Sequence, residues 1–334
     1  MSAVDAFVVV HNHAQTVRAT LESLAVQAEP LGRIVVVDNA SDDGSVSVIE
    51  DLARSMPLEV LRFSENRGFA AAANEAIRRT RSEWVLALNP DCRLAPDYLI
   101  RLLDAALGRE RVGAATGLLL RGEGEALSPT DRVDSAGMVF TTAGRHMDRG
   151  AGRPLRTRWL RPAWVFGASG AAALYRKEAL DDVAYPAGEV FDEAFFAYRE
   201  DADLAWRLQR RGWRCLYWPA AQAWHARGLK PENARRGTPA INRHSVRNRF
   251  LLRWSNADWR WLMGCFPWWL ARDLIVGLAC LTVERSSMPG LAEAWALRRQ
   301  QRARGRANAS RALVSGWSMA LWFLPGSRVR RVAR

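Results

Sequence analysis

Several short polar clusters hold residue types suited to chemistry. The apolar run Trp84–Leu88 stops abruptly at Asn89-Pro90-Asp91. In open α/β sheets ligands collect outside the carboxyl ends of strands, so Asp91 is placed to meet one. Asp38 ends a second apolar run, where a carboxylate can accept a hydrogen bond from a pyrimidine N3–H or a ribose hydroxyl. The plainer reading is that Asp38 organises the turn that follows. Asn66-Arg67-Gly68-Phe69 precedes a helical pattern. Helix N-termini favour anions, Gly68 lets backbone approach a ligand closely, and Arg67 adds charge beside an anion, although a structural turn also explains the glycine. Glu200-Asp201, followed by Asp203, opens another helix after the aromatic and acidic run 191–198. Carboxylates there suit the helix dipole whatever else they do, but the preceding run reads as a substrate-facing loop.

The elements that must position these groups follow a regular rhythm. Apolar runs at 6–10, 34–38, 59–63 and 84–88 alternate with helical patterns at about 14–27, 45–55 and 70–80. That alternation predicts an α/β fold of βαβ units, Rossmann-like, with a mostly parallel sheet flanked by helices. Pro96 opens a further helix to about Gly108, and strands return near 112–120 and 138–141. The arginine- and glycine-rich stretch 145–161 reads as a mobile loop. A helix from Glu200 to Gly212 precedes a strand at 213–218, with His225 in the loop beyond. The expected division is a unit over 1–241, in halves of about 1–110 and 111–241, and a helical extension over 242–334.

Composition narrows the class. Of 334 residues 49% are hydrophobic, which excludes a disordered chain. The formal charge of +13 is carried by the last 92 residues, where 17 basic residues face 4 acidic ones. Such a tail suits nucleic acid, anionic lipid or a phosphorylated substrate, but no nucleic-acid motif accompanies it. Eight of the fifteen tryptophans lie beyond position 250. Interfacial helices on an anionic membrane fit that mixture, and so does a helical region packed on the core. The apolar stretch 274–283 is too short to span a bilayer. Cys92, Cys215, Cys265 and Cys280 form no metal-binding spacing, which predicts free thiols in a reducing compartment. The N-terminus lacks a basic region and a cleavage site, so the expected location is cytoplasmic.

Val8-Val9-Val10-His11-Asn12, Val37-Asp38-Asn39-Ala40-Ser41-Asp42-Asp43-Gly44-Ser45, Asn66-Arg67-Gly68-Phe69-Ala70, Asn89-Pro90-Asp91 and Glu200-Asp201-Ala202-Asp203-Leu204 together resemble, in order and spacing, the inverting glycosyltransferases of family 2, with the GT-A fold. The Asn-Arg-Gly-Phe and Asn-Pro-Asp variants resemble its rhamnosyltransferase branch, and the likeness covers roughly residues 4–228. It implies a nucleotide-sugar donor, dTDP-rhamnose in that branch, bound by His11, Asp38, Asn66, Arg67, Gly68, Asn89, Asp91 and Gly167. His11 stands where the family more often has tyrosine, and Asn89 where it has the first aspartate of Asp-x-Asp. An amide brings no charge to a metal, so a cation, Mn²⁺ or Mg²⁺, would rest on Asp91, with His225 as a further ligand favouring Mn²⁺. Asp201 takes the place of the general base, with Glu200, Asp203 and Trp164 on the acceptor side. The implied acceptor is a lipid-linked or growing polysaccharide, reached through peripheral contact of 242–334 with the inner membrane face. The alternatives are another sugar from a UDP- or GDP-donor, or a non-catalytic sugar-nucleotide or nucleic-acid binder.

Overall fold

The computed structural model describes residues 3–227, 239–326 and 329–332. Its first half follows the predicted rhythm: β1 (Val4–Val10), α1 (Val17–Ala25), β2 (Leu31–Asp38), α2 (Ser45–Ala53), β3 (Leu58–Arg62), α3 (Gly68–Ile77) and β4 (Trp84–Leu88). The runs of β1 and β4 and the second half of β2 are buried because helices cover both sheet faces, which a parallel sheet requires, while β3 at the sheet edge is only partly covered. The chain continues through β5 (Cys92–Leu94), α4 (Tyr98–Ala106), β6 (Val112–Glu123), β7 (Ser128–Ser135), β8 (Met138–Phe140), β9 (His146–Asp148), β10 (Ala163–Val165), β11 (Ala172–Arg176), α5 (Lys177–Val183), α6 (Glu200–Arg210) and β12 (Arg214–His225). Helices α7 (Pro239–Asn256), α8 (Trp259–Gly264), α9 (Trp268–Thr282), α10 (Met288–Ser310) and α11 (Gly316–Leu321) lead to a short β13 (Arg330–Arg331).

Among the described residues one sheet runs in the order β13-β10-β12-β6-β11-β4-β1-β2-β3, with β5 on β12 and β7 on β6. Strands β1, β2, β3 and β4 are mutually parallel, and β11 turns antiparallel against β4. Val10 is level with Asp38, and Val8 with Leu88, so the loops after β1, β2 and β4 share one edge of the sheet.

Two expectations need correcting, and the C-terminal region adds a third finding. The stretch 145–161 is not a mobile loop: it contains β9, and backbone bonds from Val133 to Arg153, from Gly152 to Val133 and from Leu155 to Asp131 tie it down. The strand expected to stop at residue 218 runs on to His225, which is therefore a strand residue. Pro219 reads as a terminator because it donates no ladder hydrogen bond, but the pairing with β6 shifts register between Tyr217 and Gln222 and absorbs it. The C-terminal region is not uniformly amphipathic in one sense. Trp261, Met319, Trp322 and Phe323 join the core around Phe140, Phe166 and Trp206, while α9 leaves an apolar face outside.

Candidate functional site

The loops at the shared sheet edge are tied to one another. The amide of Asn12 donates to Ser41 Oγ at 3.1 Å, that of Asp42 to Asn12 Oδ1 at 2.9 Å, and that of Ala14 to Asp43 Oδ2 at 2.9 Å. Asp38 is buried here, and among the described residues only the distant Ser41 amide (3.3 and 3.4 Å) donates to its carboxylate. His11 is exposed at the rim. Asn66 accepts from Asn39 Nδ2 and from the Gly68 amide, while the Arg67 amide donates back to Asn39 Oδ1. The Arg67 guanidinium lies exposed over the Phe63 ring, 4.8 Å from its centroid.

The corner Asn89-Pro90-Asp91 is held from two sides. Thr16 and Thr20 hydroxyls donate to Pro90 O at 3.0 and 2.9 Å, and the Asn89 amide donates to Ala171 O at 2.9 Å. Its next residue, Cys92, pairs with His225 at the end of β12, which carries the imidazole to Asp91. His225 Nε2 is 3.2 Å from Asp91 Oδ1, and its Nδ1 is 2.8 Å from Asp134 Oδ2. Asp134 reaches it from a bulge in β7: Leu119 pairs with Ser135 and Leu120 with Val133, so Asp134 is the extra residue and its side chain is re-aimed. Burial opposes the His225 imidazolium, but Asp91 and Asp134 on either side overcome it and push its pKa up to about 10. Burial likewise opposes Asp91 ionisation, yet His225 and, more weakly, His13 hold its pKa below the usual carboxylate range.

Asp91 and His225 fit a cation that displaces the His225 Nε2 proton, since only the neutral imidazole ligates. Two donors 3.2 Å apart can bind adjacent positions of one octahedral ion with bonds of ~2.1 Å, and a carboxylate behind the second imidazole nitrogen is the usual support for a metal-bound histidine. Among the described residues no cluster of three or more His, Cys, Asp or Glu side chains converges, so these two would leave most positions to phosphate oxygens and water.

From Asp134 the polar chain continues. Arg227 Nε pairs with Asp134 at 2.7 Å and its terminal nitrogen with Asp148. Asp148 in turn acts on Asp201. Burial first, then the Asp148 charge, raises the Asp201 pKa to about 6 against hydrogen bonds from the Ala202 and Gly170 amides. The Gly170 amide donates to Asp201 Oδ2 at 3.3 Å, and neighbouring Ala171 binds Asn89. Asp201 is thus joined to the Asp91 corner by a backbone link as well as by the chain of charges. Glu200 beside it is buried, with Oε2 lacking a partner. Burial and then the Asp201 charge push its pKa up to about 8.

The approach to α6 is strained and clamped. Phe196, Tyr198 and Arg199 all adopt positive φ, which costs an L-residue of order 1–3 kcal/mol. Asn248 on α7, fully buried, donates from one amide nitrogen to the carbonyls of Phe195, Ala197 and Tyr198 at 2.7–2.9 Å. Arg247 adds a second bond to Phe195 O at 2.7 Å. On α10, Gln301 donates to Asp192 at 3.0 Å and Arg304 pairs with Glu189 and Asp192.

Several expected ligands serve the fold instead. Gly68 at φ +81 is approached by the protein itself: a Cβ would lie 2.5 Å from Phe196 O. Gly167 leaves room for Ala205, whose methyl would be 2.4 Å from an added Cβ, whereas Gly170 is the glycine that adjoins Asp201. Asp203 does not face an acceptor. It is wholly buried, paired with Arg207 at 2.8 Å and bonded to Ser255 and Asn256. Trp164 is buried on β10 with Arg214 over its ring, 3.6 Å from the centroid. Phe195 is core, and Phe196 stacks on His244. Asp134, Asp148, Arg227 and Asn248 were missed because no local pattern singles them out, whereas Gly170 closes the small-residue segment that begins at Gly167. His13 had a signal, since it follows the strand-end His11 by two residues.

Comparison with known proteins places this geometry. Residues 5–184, more than half of the chain, match the model of glycosyl transferase family 2. The N-acetylglucosaminyl-diphospho-decaprenol L-rhamnosyltransferase of Mycobacterium tuberculosis is 29% identical, over 61% of this chain and 70% of that protein. A mannosyltransferase from Pyrobaculum calidifontis, solved with GDP-Man and Mn²⁺, has a similar fold (TM-score 0.53, 19% identity, 96% of this chain and 83% of that one). So does GalNAc-T7, solved with UDP, GalNAc and Mn²⁺ (TM-score 0.58, 14% identity, 76% of this chain), of which this chain spans about half, 48%.

Proposed function

The chain belongs to glycosyl transferase family 2, and from that premise we propose that it moves L-rhamnose, with inversion, from dTDP-rhamnose to a hydroxyl of a lipid-linked or polysaccharide acceptor. The observation that carries this is the ion-paired chain from Asp91 through His225, Asp134 and Arg227 to Asp148, with Asp201 joined to the same corner by the backbone of Gly170, Ala171 and Asn89. The donor's nucleotide lies at the shared sheet edge, with Asp38 and His11 toward base and ribose, and Arg67 and Asn89 toward the diphosphate. Asp91 and His225 would hold a divalent ion, Mn²⁺ or Mg²⁺, which when bound would neutralise the departing nucleoside diphosphate.

Asp201 is the general base. A carboxylate with a pKa near 6 is largely ionised at neutral pH yet basic enough to take a hydroxyl proton as the acceptor oxygen attacks. The amides of Gly170 and Ala202 fix its orientation. Glu200, protonated at neutral pH, keeps a second negative charge away from the attacking oxygen. The strained, clamped loop ahead of α6 holds both groups still.

The work is done at the inner face of the membrane, to which the basic C-terminal region brings residues 1–241. Among the described residues no single helix is long and apolar enough to cross a membrane. The test is release of nucleoside diphosphate across dTDP-, UDP- and GDP-sugars with Mn²⁺, Mg²⁺ or chelator. We expect metal-dependent turnover of dTDP-rhamnose, lowered ~10³-fold in Asp201→Asn with donor binding retained. Turnover of a UDP- or GDP-sugar in its place refutes the rhamnose assignment, and donor binding without turnover by the unsubstituted chain refutes the enzyme.

A further inference from the structure

A sugar ring stacks only on an aromatic face that the protein leaves open, and the packed chain closes nearly all of them near the base. Trp164 and Phe195 are core, and Phe196 lies against His244, with ring centroids 5.0 Å apart and planes 9° from parallel. Among the described residues 3–227, Tyr198 is the one exposed aromatic, at 42%. The other exposed rings, Trp259, Phe266, Trp268, Trp295 and Trp317, all belong to the C-terminal region. Tyr198 also differs from other tyrosines in the use of its hydroxyl. Tyr98 donates to Ala172 O, Tyr217 donates to Trp159 O, and Tyr185 accepts from Asn308. No described residue bonds the Tyr198 hydroxyl, so the fold makes no use of it.

The ring stands on strained backbone. Tyr198 at φ +71 and Arg199 at φ +74 are consecutive left-handed residues, a conformation rare for a bulky side chain. Such strain persists where the surrounding structure over-determines it, and it gathers at ligand sites. Here Asn248 donates to Ala197 O at 2.8 Å and to Tyr198 O at 2.7 Å, so the backbone is fixed before anything binds. A fixed platform loses little freedom when a ligand settles on it. Three peptide steps separate Tyr198 from Asp201, which keeps their Cα atoms within ~11 Å of each other. A phenol side chain and one sugar ring together bridge that gap. Burial of part of the side chain, then the Glu200 charge, raise the phenol pKa, as expected of a ring on the carboxylate side of the rim.

We propose that Tyr198 is the platform on which the sugar ring of the acceptor stacks while its hydroxyl meets Asp201, and that this residue selects a cyclic sugar over an open-chain alcohol. The inference rests on the glycosyltransferase reading and adds to it a specificity-determining residue. The C–H face of a pyranose is apolar, and its hydrogens suit the negative face of an aromatic ring. An open-chain polyol carries similar hydroxyls without such a face.

The probes are the methyl pyranosides of glucose, N-acetylglucosamine, galactose, mannose and rhamnose, with open-chain glucitol beside them. Binding to the full chain is titrated by saturation-transfer NMR in the presence of Mn²⁺ and of dTDP, UDP or GDP in turn. We expect at least one pyranoside to bind about tenfold more tightly than glucitol. Tyr198→Ala should weaken that pyranoside about tenfold, while Tyr198→Phe, which keeps the ring face, stays within about threefold. Nucleotide binding, read in the same samples, should be equal in all three chains, which a collapsed loop would not allow. Should Tyr198→Ala fail to fold, Tyr198→Leu, which keeps bulk without a ring, is held to the same tenfold loss. Pyranoside binding by the alanine variant equal to that of the parent overturns the proposal. So does the lack of any preference over glucitol. A phenylalanine variant as weak as the alanine one overturns it too, because the hydroxyl and not the face would then be the contact. Turnover of the donor panel by the parent chain is measured separately. Turnover with pyranoside binding indifferent to Tyr198 defeats this proposal alone, and Tyr198-dependent pyranoside binding without turnover supports the platform while defeating the glycosyltransferase reading.

Discussion

Helices α7 and α9 come from the same basic, tryptophan-bearing stretch, yet they face opposite ways. Helix α7 buries Arg247, Asn248, Arg249, Ser255 and Asn256 together with Leu251 and Leu252. Helix α9 buries only Cys280 and presents leucines, an isoleucine and a tryptophan to the outside. By residue type the more polar helix should be the outer one. The order is reversed because the polar side chains of α7 have partners: three carbonyls of a strained loop, the Asp203 carboxylate and Asp273. A buried polar group is tolerated when it is satisfied, whereas an apolar stripe goes inward only if the protein offers a surface to receive it.

The contrast can be broken in several ways. The largest effect is expected from Asn248→Ala, which leaves the carbonyls of Ala197 and Tyr198 short of a donor while Phe195 keeps Arg247. It should cost about 3 kcal/mol in urea unfolding, and lower kcat about 100-fold with donor KM little changed, because Asp201 loses its fixed approach. A loss below about 1 kcal/mol would mean that the loop holds itself and that α7 is no clamp.

Leucines offer the direct comparison. Leu251→Ala on α7 should cost roughly 2–5 kcal/mol, while Leu274→Ala on α9 should stay within about 0.5 kcal/mol. Equal costs would show that the α9 face is covered by protein in solution.

Titration sharpens the inner side. The folded-state pKa of Glu200, about 8, lies above its usual 4.5. The unfolded chain therefore ionises first, and Glu200 destabilises increasingly as pH rises from 4.5 toward 8. Glu200→Gln removes that penalty, so its unfolding free energy should gain on the parent's by roughly 3 kcal/mol between pH 5 and pH 8. A pH-independent difference would show that Glu200 ionises normally.

The smallest effect concerns Asp148. Because its charge helps hold the Asp201 pKa up, Asp148→Asn should move the acidic limb of the rate profile to lower pH by about half a unit, roughly 0.7 kcal/mol. An unmoved limb would leave burial as the sole cause.

Much of this was legible in the sequence. The strand and helix alternation of the first hundred residues fell within a few residues of the observed elements, because both faces of a parallel sheet must be apolar. Asp91 at a strand end and Asp201 at a helix start were visible for the same local reason. Asp134, Asp148 and Arg227 were not. Each lies far along the chain from the group it supports, and the bulge that aims Asp134 leaves no mark in a single sequence. Gly68 and Gly167 show the converse: a glycine announces a close approach without saying what approaches.

The sequence by itself determined the α/β framework, the acid at each strand or helix end, and the existence of an apolar and a cationic surface beyond residue 242. Local periodicity and residue chemistry act over a few positions, and those features need nothing longer. Only the tertiary structure decided which way each surface faces, which carboxylates are paired away and which remain for chemistry. Asp201 and Asp203 are two residues apart on one helix, yet Asp203 meets Arg207, Ser255 and Asn256 while Asp201 meets two backbone amides and the neighbouring Asp148 charge. Burial and charge neighbours are properties of the packed chain, and they separate a structural ion pair from a base.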